Sequence, residues 1–364
     1  MRLLDEQAIE HIALGASLLG TGGGGDPHIG RLMALNAIKK HGPVKLLSPD
    51  ELPDDALVVP TAMMGAPIVV IEKIPNGNEF ITAFKGLEEV LGKKVYATIP
   101  IEAGGLNSMI PIAVAAQMGI PLVDADGMGR AFPELQMVTY HLDGIPASPM
   151  VIVDEKGNSV ILQTITNNWA EEIARVCTVA MGASVMISIY SMLGSQVKES
   201  GIAGIMSFSQ QIGKIISDAR VDNTNPIKEL LDLTHGYELF KGKITDVSRD
   251  IQGGFNRGLC ALSGIEDFTG ETMDVSFQNE NLIATKDGTV VATVPDLICI
   301  LDADTSIPVT TETLKFGRRV VVIGIPCDHK WRTKKGIETV GPRYFGYDID
   351  YTPIEQLTAP QEAE

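Results

Sequence analysis

The chain has 364 residues, of which 45% are hydrophobic and 21% charged, a composition typical of a globular protein with about two domains. Its 46 acidic residues outnumber its 29 basic residues, and the formal net charge is -17. A surface of this sign repels phosphate backbones and anionic membranes, which excludes nucleic acid and lipid as predicted partners. Four widely separated cysteines without a CxxC pair argue against a disulfide framework or a thiolate zinc site.

The N-terminal segment predicts a cytoplasmic location. Residues 1–20 include Asp5, Glu6 and Glu10, and they lack the basic start and continuous apolar run of a signal peptide. The most apolar long stretch, Val176 to Leu193, is interrupted by serine, threonine and tyrosine. This pattern indicates a buried helix rather than a membrane span.

The first predicted elements are two helices joined by a glycine run. Apolar residues at helical spacing predict a helix over 5–19, and residues 20–25 then read Gly-Thr-Gly-Gly-Gly-Gly. Asp26 followed by Pro27 is an N-cap and first-turn pattern, which predicts a second helix to Lys40. Two short β-type runs, 57–60 and 68–72, then flank a predicted loop over 61–67.

A strand–helix–strand unit follows and defines the fold class. The sequence predicts a strand over 94–100, a loop over 101–107, a helix over 108–118 and a second strand over 121–126. A crossover of this length makes the two strands parallel. We therefore expect an α/β N-terminal domain with a parallel sheet.

The sequence changes character near Asn167. Residues 168–220 read as two helices broken around 194–204, and short alternating strands follow His235. The predicted strands are 239–247, 258–262, 272–277, 281–285, 289–293, 297–301 and 319–325. The predicted domains are an N-terminal α/β domain (1–167), a helical hairpin with a small, mostly antiparallel β unit (168–354), and a frayed acidic tail (355–364).

Acidic side chains follow the two predicted parallel strands. Ligands bind beyond the carboxyl ends of such strands, and there the sequence places Glu102 and the pair Asp124 and Asp126. The two aspartates alternate with an alanine, so in an extended strand both face one way. Clustered carboxylates repel one another unless a cation compensates, which points either to a metal ion or to an ion pair with Arg130. Glu134 and His141 follow within reach of the same edge.

Three other features each have a functional and a structural interpretation. The glycine run lacks the GK[ST] ending of a phosphate-binding loop, but Gly22, Gly23, Gly24 and Gly25 offer backbone N–H groups beside a helix N-terminus. The alternative is a flexible turn between helices. Asn107 fits a helix cap better than a catalytic group. His235, at a helix-to-strand junction, is either a metal ligand or a satisfied turn histidine.

Several segments together resemble the S-methyl thiohydantoin desulfurase family, which has been linked to hydantoin utilisation. The resemblance covers nearly the whole chain, and the run DADGMGRAFPE over 124–134 is its most specific part. The other segments are GTGGGGDP (20–27), MMGAP (63–67), EAGGLNS (102–108), PDLI (295–298) and GPRYFGYD (341–348). The resemblance implies an N-terminal α/β domain, a distinct C-terminal domain, and metal-assisted removal of sulfur from a five-membered ring.

The leading functional hypothesis is a metal-dependent hydrolase that removes a thiol from such a ring. A divalent ion, Zn²⁺ or Mn²⁺, would activate water, and its candidate ligands are Glu102, Asp124, Asp126, His141 and His235. Glu134 is the candidate general base, with Asp126 and Asn107 as further catalytic candidates. Substrate or developing negative charge would be held by Arg130 and by backbone N–H groups of Gly22–Gly25, Gly104 and Gly105.

Two other functions remain open from the sequence. One is ring-opening amide hydrolysis of hydantoins or lactams, and the other is a non-catalytic binding subunit of a hydantoinase. The predicted partners are a small-molecule ring substrate and further copies of the same chain, so the protein is expected to be a homo-oligomer.

Overall fold

The computed structural model describes residues 1–65, 69, 77–253 and 255–359. The chain divides into two compact units: the first comprises 1–20 and 24–213, and the second comprises 21–23 and 214–364. The predicted domain boundary at 167/168 lies within the first unit. Among the described residues, no helix is both long and apolar enough to cross a bilayer.

The first unit contains a mixed sheet and its helices. Its strands are β1 (Arg2–Leu4), β2 (Val44–Leu47), β3 (Leu57–Gly65), β4 (Ala97–Ile99), β5 (Leu122–Val123), β6 (Ala125–Asp126), β7 (Met150–Val153), β8 (Ser159–Leu162), β9 (Ser184–Ser188), β10 (Met192–Leu193) and β11 (Ile202–Ala203). Its helices are α1 (Glu6–Leu19), α2 (Pro27–His41), α3 (Glu79–Leu91), α4 (Ile110–Met118), α5 (Thr139–Leu142), α6 (Asn167–Ala180) and α7 (Gly194–Ser200). A further helix, α8 (Ile205–Asp222), begins in this unit and ends in the second.

In the described part of the chain, the main sheet has the order β1-β2-β5-β4-β3-β9-β7-β8. Strands β2, β5, β4 and β3 pair in parallel, and Thr98 lies opposite Leu122. The predicted crossover is therefore confirmed as β4-α4-β5. The residues of α4 from Ile110 to Ala116 are buried, because a crossover helix packed on a sheet and on other helices needs no polar face.

The second unit contains an antiparallel sheet. Its elements are α9 (Ile227–Thr234), β12 (Tyr237–Gln252), β13 (Phe255–Gly264), β14 (Thr272–Gln278), β15 (Glu280–Lys286), β16 (Thr289–Thr293), β17 (Leu297–Asp302), β18 (Arg319–Ile325), α10 (Lys334–Val340) and α11 (Ile354–Leu357). The strand order over the described residues is β16-β15-β14-β13-β12-β18-β17, with every pairing antiparallel. All seven predicted strands are present, so the α/β class and the antiparallel second sheet are confirmed.

The segment 168–220 differs from the two predicted helices. Helix α6 ends at Ala180, where Gly182 (φ 93°) and Ala183 (φ 65°) adopt left-handed conformations that end a helix. The apolar run that follows is β9, whose residues are all buried between β3 and β7. The prediction of one buried helix over 176–193 is wrong, because short apolar runs suit a central strand as well as a helix.

The predicted loop over 61–67 also differs in part. Thr61 to Gly65 continue β3 as a buried strand paired with β9, and Met63 and Met64 pack in the core. Residues 66 and 67, the predicted strand 68–72 except Val69, and the last five residues of the acidic tail lie outside the described residues.

Candidate functional site

Two loops meet at the carboxyl edge of the parallel strands in the first unit. One follows β4 and carries Glu102, and the other follows β6 and carries Arg130. The N–H of Ala103 donates to the Arg130 carbonyl (3.2 Å), and the N–H of Gly127 donates to the Ile101 carbonyl (3.0 Å). The sequence therefore placed these loops correctly, because neighbouring parallel strands end at one edge.

Glu102 is a buried carboxyl group with neutral hydrogen-bond donors. It is 5% exposed, and its Oε1 accepts from Nδ2 of Asn107 (2.6 Å) while Oε2 accepts from the Phe132 N–H (3.4 Å). Burial raises the pKa of Glu102 to about 7, against the lowering effects of Asn107, Phe132 and the Arg130 charge. A carboxyl with this pKa exchanges protons near neutral pH, as a general acid or base requires.

Asn107 positions Glu102 and is not a helix cap. The N-cap of α4 is Met109, whereas the Asn107 amide spans two partners. Its Oδ1 accepts from the Met63 N–H (2.8 Å), and its Nδ2 donates to the Met63 carbonyl (3.3 Å) as well as to Glu102. Because both ends of the amide are fixed by β3, the orientation of the N–H group toward Glu102 is fixed too.

The turn between Glu102 and Asn107 brings these two side chains together. The hydroxyl of Ser108 accepts from the Gly104 N–H (3.1 Å) and donates to the Glu102 carbonyl (3.3 Å), which closes the turn. Sequence reasoning missed this pairing because it assigned Asn107 to the helix. The two glycines after Glu102 were the available signal, since they permit a compact turn that returns residue 107 to residue 102.

Arg130 supplies positive charge beside Glu102. Its side chain is fully buried, Nε donates to the Ala131 carbonyl (3.0 Å), and the guanidinium lies 4.6 Å from the ring centroid of Phe132. The Arg130 charge thus lies close enough to lower the pKa of Glu102, and a metal ion stays a prediction.

Asp124 and Asp126 hold backbone groups rather than sharing one site. Asp124 Oδ1 accepts from the N–H groups of Met206 (2.9 Å) and Ser207 (3.1 Å), which are in the first turn of α8. The Ser207 hydroxyl donates to Oδ2 of the same carboxylate (2.5 Å). Negative charge is favourable at a helix N-terminus, so this arrangement stabilises α8.

The Asp126 carboxylate points toward the backbone of the loop that follows it. It is completely buried and accepts from the N–H groups of Met128 (3.2 Å) and Gly129 (2.8 Å). An aspartate that binds backbone groups two and three residues ahead fixes a tight turn. Here that turn is the one that leads to Arg130.

The remaining predicted acid and histidines have separate environments. Oε2 of Glu134 accepts from Nε2 of Gln136 (2.5 Å), and Nδ1 of His141 lies 3.1 Å from Nδ2 of Asn167. His235 is exposed and forms the left-handed C-cap of α9 (φ 52°), as the turn interpretation predicts. Within the described ranges, no three His, Cys, Asp or Glu residues are arranged to hold a metal ion. No three of the predicted ligands are therefore grouped in the described structure, and the metal ion itself stays a prediction.

The glycine run is explained in part by close packing. Within the first unit, a Cβ on Gly24 (φ 74°) would lie 2.4 Å from Cα of Gly104, and a Cβ on Gly25 (φ 83°) would lie 2.6 Å from Cβ of Leu106. Leu106 and Asn107 both donate backbone N–H groups to the Gly24 carbonyl (2.9 and 3.3 Å). Gly24 and Gly25 thus support the turn that carries Glu102.

The other half of the run belongs to the second unit. A Cβ on Gly23 would lie 1.9 Å from Oε1 of Glu280, and the Gly22 carbonyl accepts from the Thr311 N–H (2.9 Å). The first turn of α2 is capped by Asp26, whose Oδ1 accepts from the N–H groups of His28 and Ile29. Anion binding by Gly22–Gly25 stays a prediction, and Asp26 already supplies negative charge at that helix N-terminus.

Two family models match the chain. The S-Me-THD-like N-terminal domain matches residues 7–164, and the S-Me-THD-like C-terminal domain matches residues 165–354. The chain belongs to the S-Me-THD-like family. The resemblance to S-methyl thiohydantoin desulfurases that the sequence motifs indicated is confirmed.

A crystal structure of a protein from Chromobacterium violaceum has the same fold. It superposes with a TM-score of 0.83 at 24% sequence identity, covering 97% of this chain and 100% of that protein. No curated protein matches the chain.

Proposed function

We propose that this protein is an enzyme that hydrolyses the carbon–sulfur bond of an S-methyl thiohydantoin-type ring, with Glu102 as the group that moves the proton. The observation that carries this proposal is the buried Glu102 carboxyl, whose pKa is raised to about 7 and which Asn107 orients. Family membership supports the class of substrate.

The proposed reaction consumes one water molecule. The ionised Glu102 takes a proton from water as its oxygen attacks the ring carbon that bears sulfur. The tetrahedral intermediate then expels methanethiolate, which receives a proton from Glu102. The proton of the new hydroxyl moves to the adjacent ring nitrogen, so the ring gains a carbonyl group where the sulfur was attached. Thiols leave readily because their pKa is low, about 8.5 for a cysteine-like thiol, so weak acid assistance is enough.

Neighbouring groups have defined roles in this proposal. Asn107 holds the carboxyl in one orientation, and the Arg130 charge keeps a usable fraction of Glu102 ionised despite its burial. The N–H groups of Gly105, Gly24 and Gly25, all in the first unit, are the proposed donors to developing negative charge. Glu134 remains the second candidate for the general base.

Metal dependence is a separate proposal from the sequence. Zn²⁺ or Mn²⁺ would activate water, but the candidate ligands Asp124 and Asp126 are engaged with backbone N–H groups. Elemental analysis of the purified protein tests this point directly.

The experiment is thiol release from an S-methyl thiohydantoin, measured for the native protein and for Glu102→Gln. Loss of a positioned general base typically costs about 10²- to 10⁴-fold in rate, and we expect a decrease of this size in kcat. The native rate should rise with pH up to about 7, where Glu102 becomes ionised.

Two variants serve as controls. Glu88→Gln removes another buried carboxylate of the first unit, which binds the Val95 N–H, and should leave kcat within a few-fold of native. Comparing the kcat of Glu134→Gln with that of Glu102→Gln shows which of the two candidate bases the reaction requires. A full rate in Glu102→Gln, or a ring-opened acid in place of a free thiol, would contradict the proposal.

A further inference from the structure

Helix α6 has a buried face and, opposite to it, an apolar face that is exposed in the described part of the chain. Ala170, Glu171, Ala174 and Thr178 are buried within the first unit. On the opposite side, the stripe of Trp169, Ile173, Val176 and Ala180 is exposed, with Trp169 at 49% and Val176 at 70%. We call these four residues the α6 stripe.

The spacing of the α6 stripe is that of a helix-pairing surface. Its positions are separated by four, three and four residues, which is the a/d pattern of a coiled-coil seam. An apolar stripe on a surface helix normally faces its own core, and here the core-facing side is a different set of residues. In the described structure of a single chain, the stripe is therefore left exposed.

We propose that the α6 stripe is the contact between two copies of this chain, with the two α6 helices antiparallel across a two-fold axis. In this arrangement Ile173 of one protomer packs against Val176 of its partner. Trp169, the bulkiest residue of the stripe, then packs against Ala180, the smallest. Because large meets small at both ends of the pair, the stripe is complementary to itself in this orientation.

The neighbouring residues extend the same complementarity. Ile165, which is 89% exposed, lies just before α6, whereas the small residues Gly182 and Ala183 lie just after it. The bulky end of one α6 thus meets the small end of the other over more than the four stripe residues. Antiparallel packing also sets the two helix dipoles in favourable opposition.

Charge and area agree with a second copy as the partner. Each chain carries a net charge of -17, so two copies repel except where their surfaces are uncharged. The stripe contains no charged residue. With Ile165 and Val179 (54% exposed), its apolar surface is at the upper end of the roughly 300–600 Å² patches of monomers. It would form the core of a contact of about 800 Å² per protomer.

The test is sedimentation analysis of the full chain over a dilution series. The native protein should sediment at twice the chain mass and dissociate on dilution, and Ile173→Glu should weaken association at least tenfold. Val221→Glu is the matched control, because Val221 is an 83% exposed valine on α8 outside the stripe. It should associate like the native protein.

A size exchange tests the antiparallel register. Trp169→Ala and Ala180→Trp should each weaken the dimer, whereas the double variant should recover at least part of the loss. The native protein gives an independent readout, because iodide quenches exposed tryptophan and Trp331 is completely buried. Quenching of Trp169 should therefore decrease as protein concentration rises. A single-chain mass at every concentration, or an unchanged dimer in Ile173→Glu, would overturn the proposal.

Discussion

Each unit contains a buried carboxylate at the centre of a hydrogen-bond network, and the two networks differ in their donors. Glu102, in the first unit, accepts one hydrogen bond from the neutral amide of Asn107 and a long one (3.4 Å) from the backbone N–H of Phe132. Asp296, in the second unit, is fully buried and accepts from Nη2 of Arg332 (3.0 Å) and the Tyr351 hydroxyl (3.1 Å). It also accepts from the N–H groups of Cys327 (2.9 Å) and Ile354 (2.8 Å).

In the proposed function, this difference separates a structural carboxylate, Asp296, from the proton-transferring one, Glu102. Asp296 joins the end of β18, the 3₁₀ helix His329–Arg332 and the start of α11, and its charge is paired directly with a guanidinium. Glu102 has no direct ion pair among its described hydrogen bonds, so burial dominates and raises its pKa to about 7. Burial alone therefore does not make a carboxylate reactive; the number and charge of its donors decide.

The largest stability effect is expected from Asp296→Asn. Removing one partner of a buried ion pair costs about 3–5 kcal/mol, and the new amide NH₂ would face groups that are themselves donors. Urea unfolding of the second unit can be followed by Trp331 emission in a Trp169→Phe background. The control is Asp304→Asn, whose ion pair with Arg319 is exposed and should contribute less than about 1 kcal/mol. Equal losses of stability in Asp296→Asn and Asp304→Asn would contradict a structural role for Asp296.

Glu102→Gln should have the opposite effect on stability. The folded-state pKa, about 7, lies above the ordinary value of 4.5, so the carboxyl costs no stability below pH 4.5. The cost grows between pH 4.5 and 7 and reaches about 3 kcal/mol above pH 7. Glu102→Gln should therefore be more stable than the native protein at pH 8 but not at pH 4.5. Denaturant midpoints at the two pH values check this, and a variant less stable at pH 8 would contradict it.

The sequence predicted the framework of the first network but not its contacts. The β4-α4-β5 crossover followed from local pattern, and it placed Glu102 and Arg130 on adjacent loops. The direction in which each acid points depends on tertiary partners that local pattern does not contain. Asp124 accepts from the N–H of Met206 at the start of α8, which lies 82 residues further along the chain. Alternation in a strand could not reveal that.

The hydrogen-bond network around Asp296 could not be predicted from local sequence patterns. Asp296 was noted only as part of a family motif, and its partners come from four later points of the chain between Cys327 and Ile354. By contrast, the strands around it were predicted correctly, since antiparallel hairpins are local structures with alternating residues and turn signals. Secondary structure was thus readable where it depends on neighbours in sequence, and the polar networks were not.

A third experiment asks how rigidly the Glu102 turn is supported. Gly24→Ala places a methyl group 2.4 Å from Cα of Gly104, and Gly92→Ala introduces one with no atom within 4 Å. Both glycines have positive φ (74° and 62°), so both variants share the conformational cost of about 1–2 kcal/mol. The extra loss in Gly24→Ala, about 1–3 kcal/mol, measures the close packing against Gly104. Thermal unfolding compares the stabilities of the two variants. Equal losses of stability would mean that the turn at Gly104 shifts to make room for the new methyl group.

The smallest expected effect, and the most specific, is that of Asn107→Ala on the pH profile. The hydrogen bond from Asn107 lowers the pKa of Glu102, so removing it should raise that pKa above about 7. If Glu102 is the base, the rising limb of kcat against pH should move to higher pH, by up to about one unit. The rate would then fall more at pH 6 than at pH 9. A purely structural role for Asn107 predicts an equal loss at both pH values. Asn158→Ala, which removes an amide from Asp154 in the turn between β7 and β8, is the matched control and should leave the profile in place.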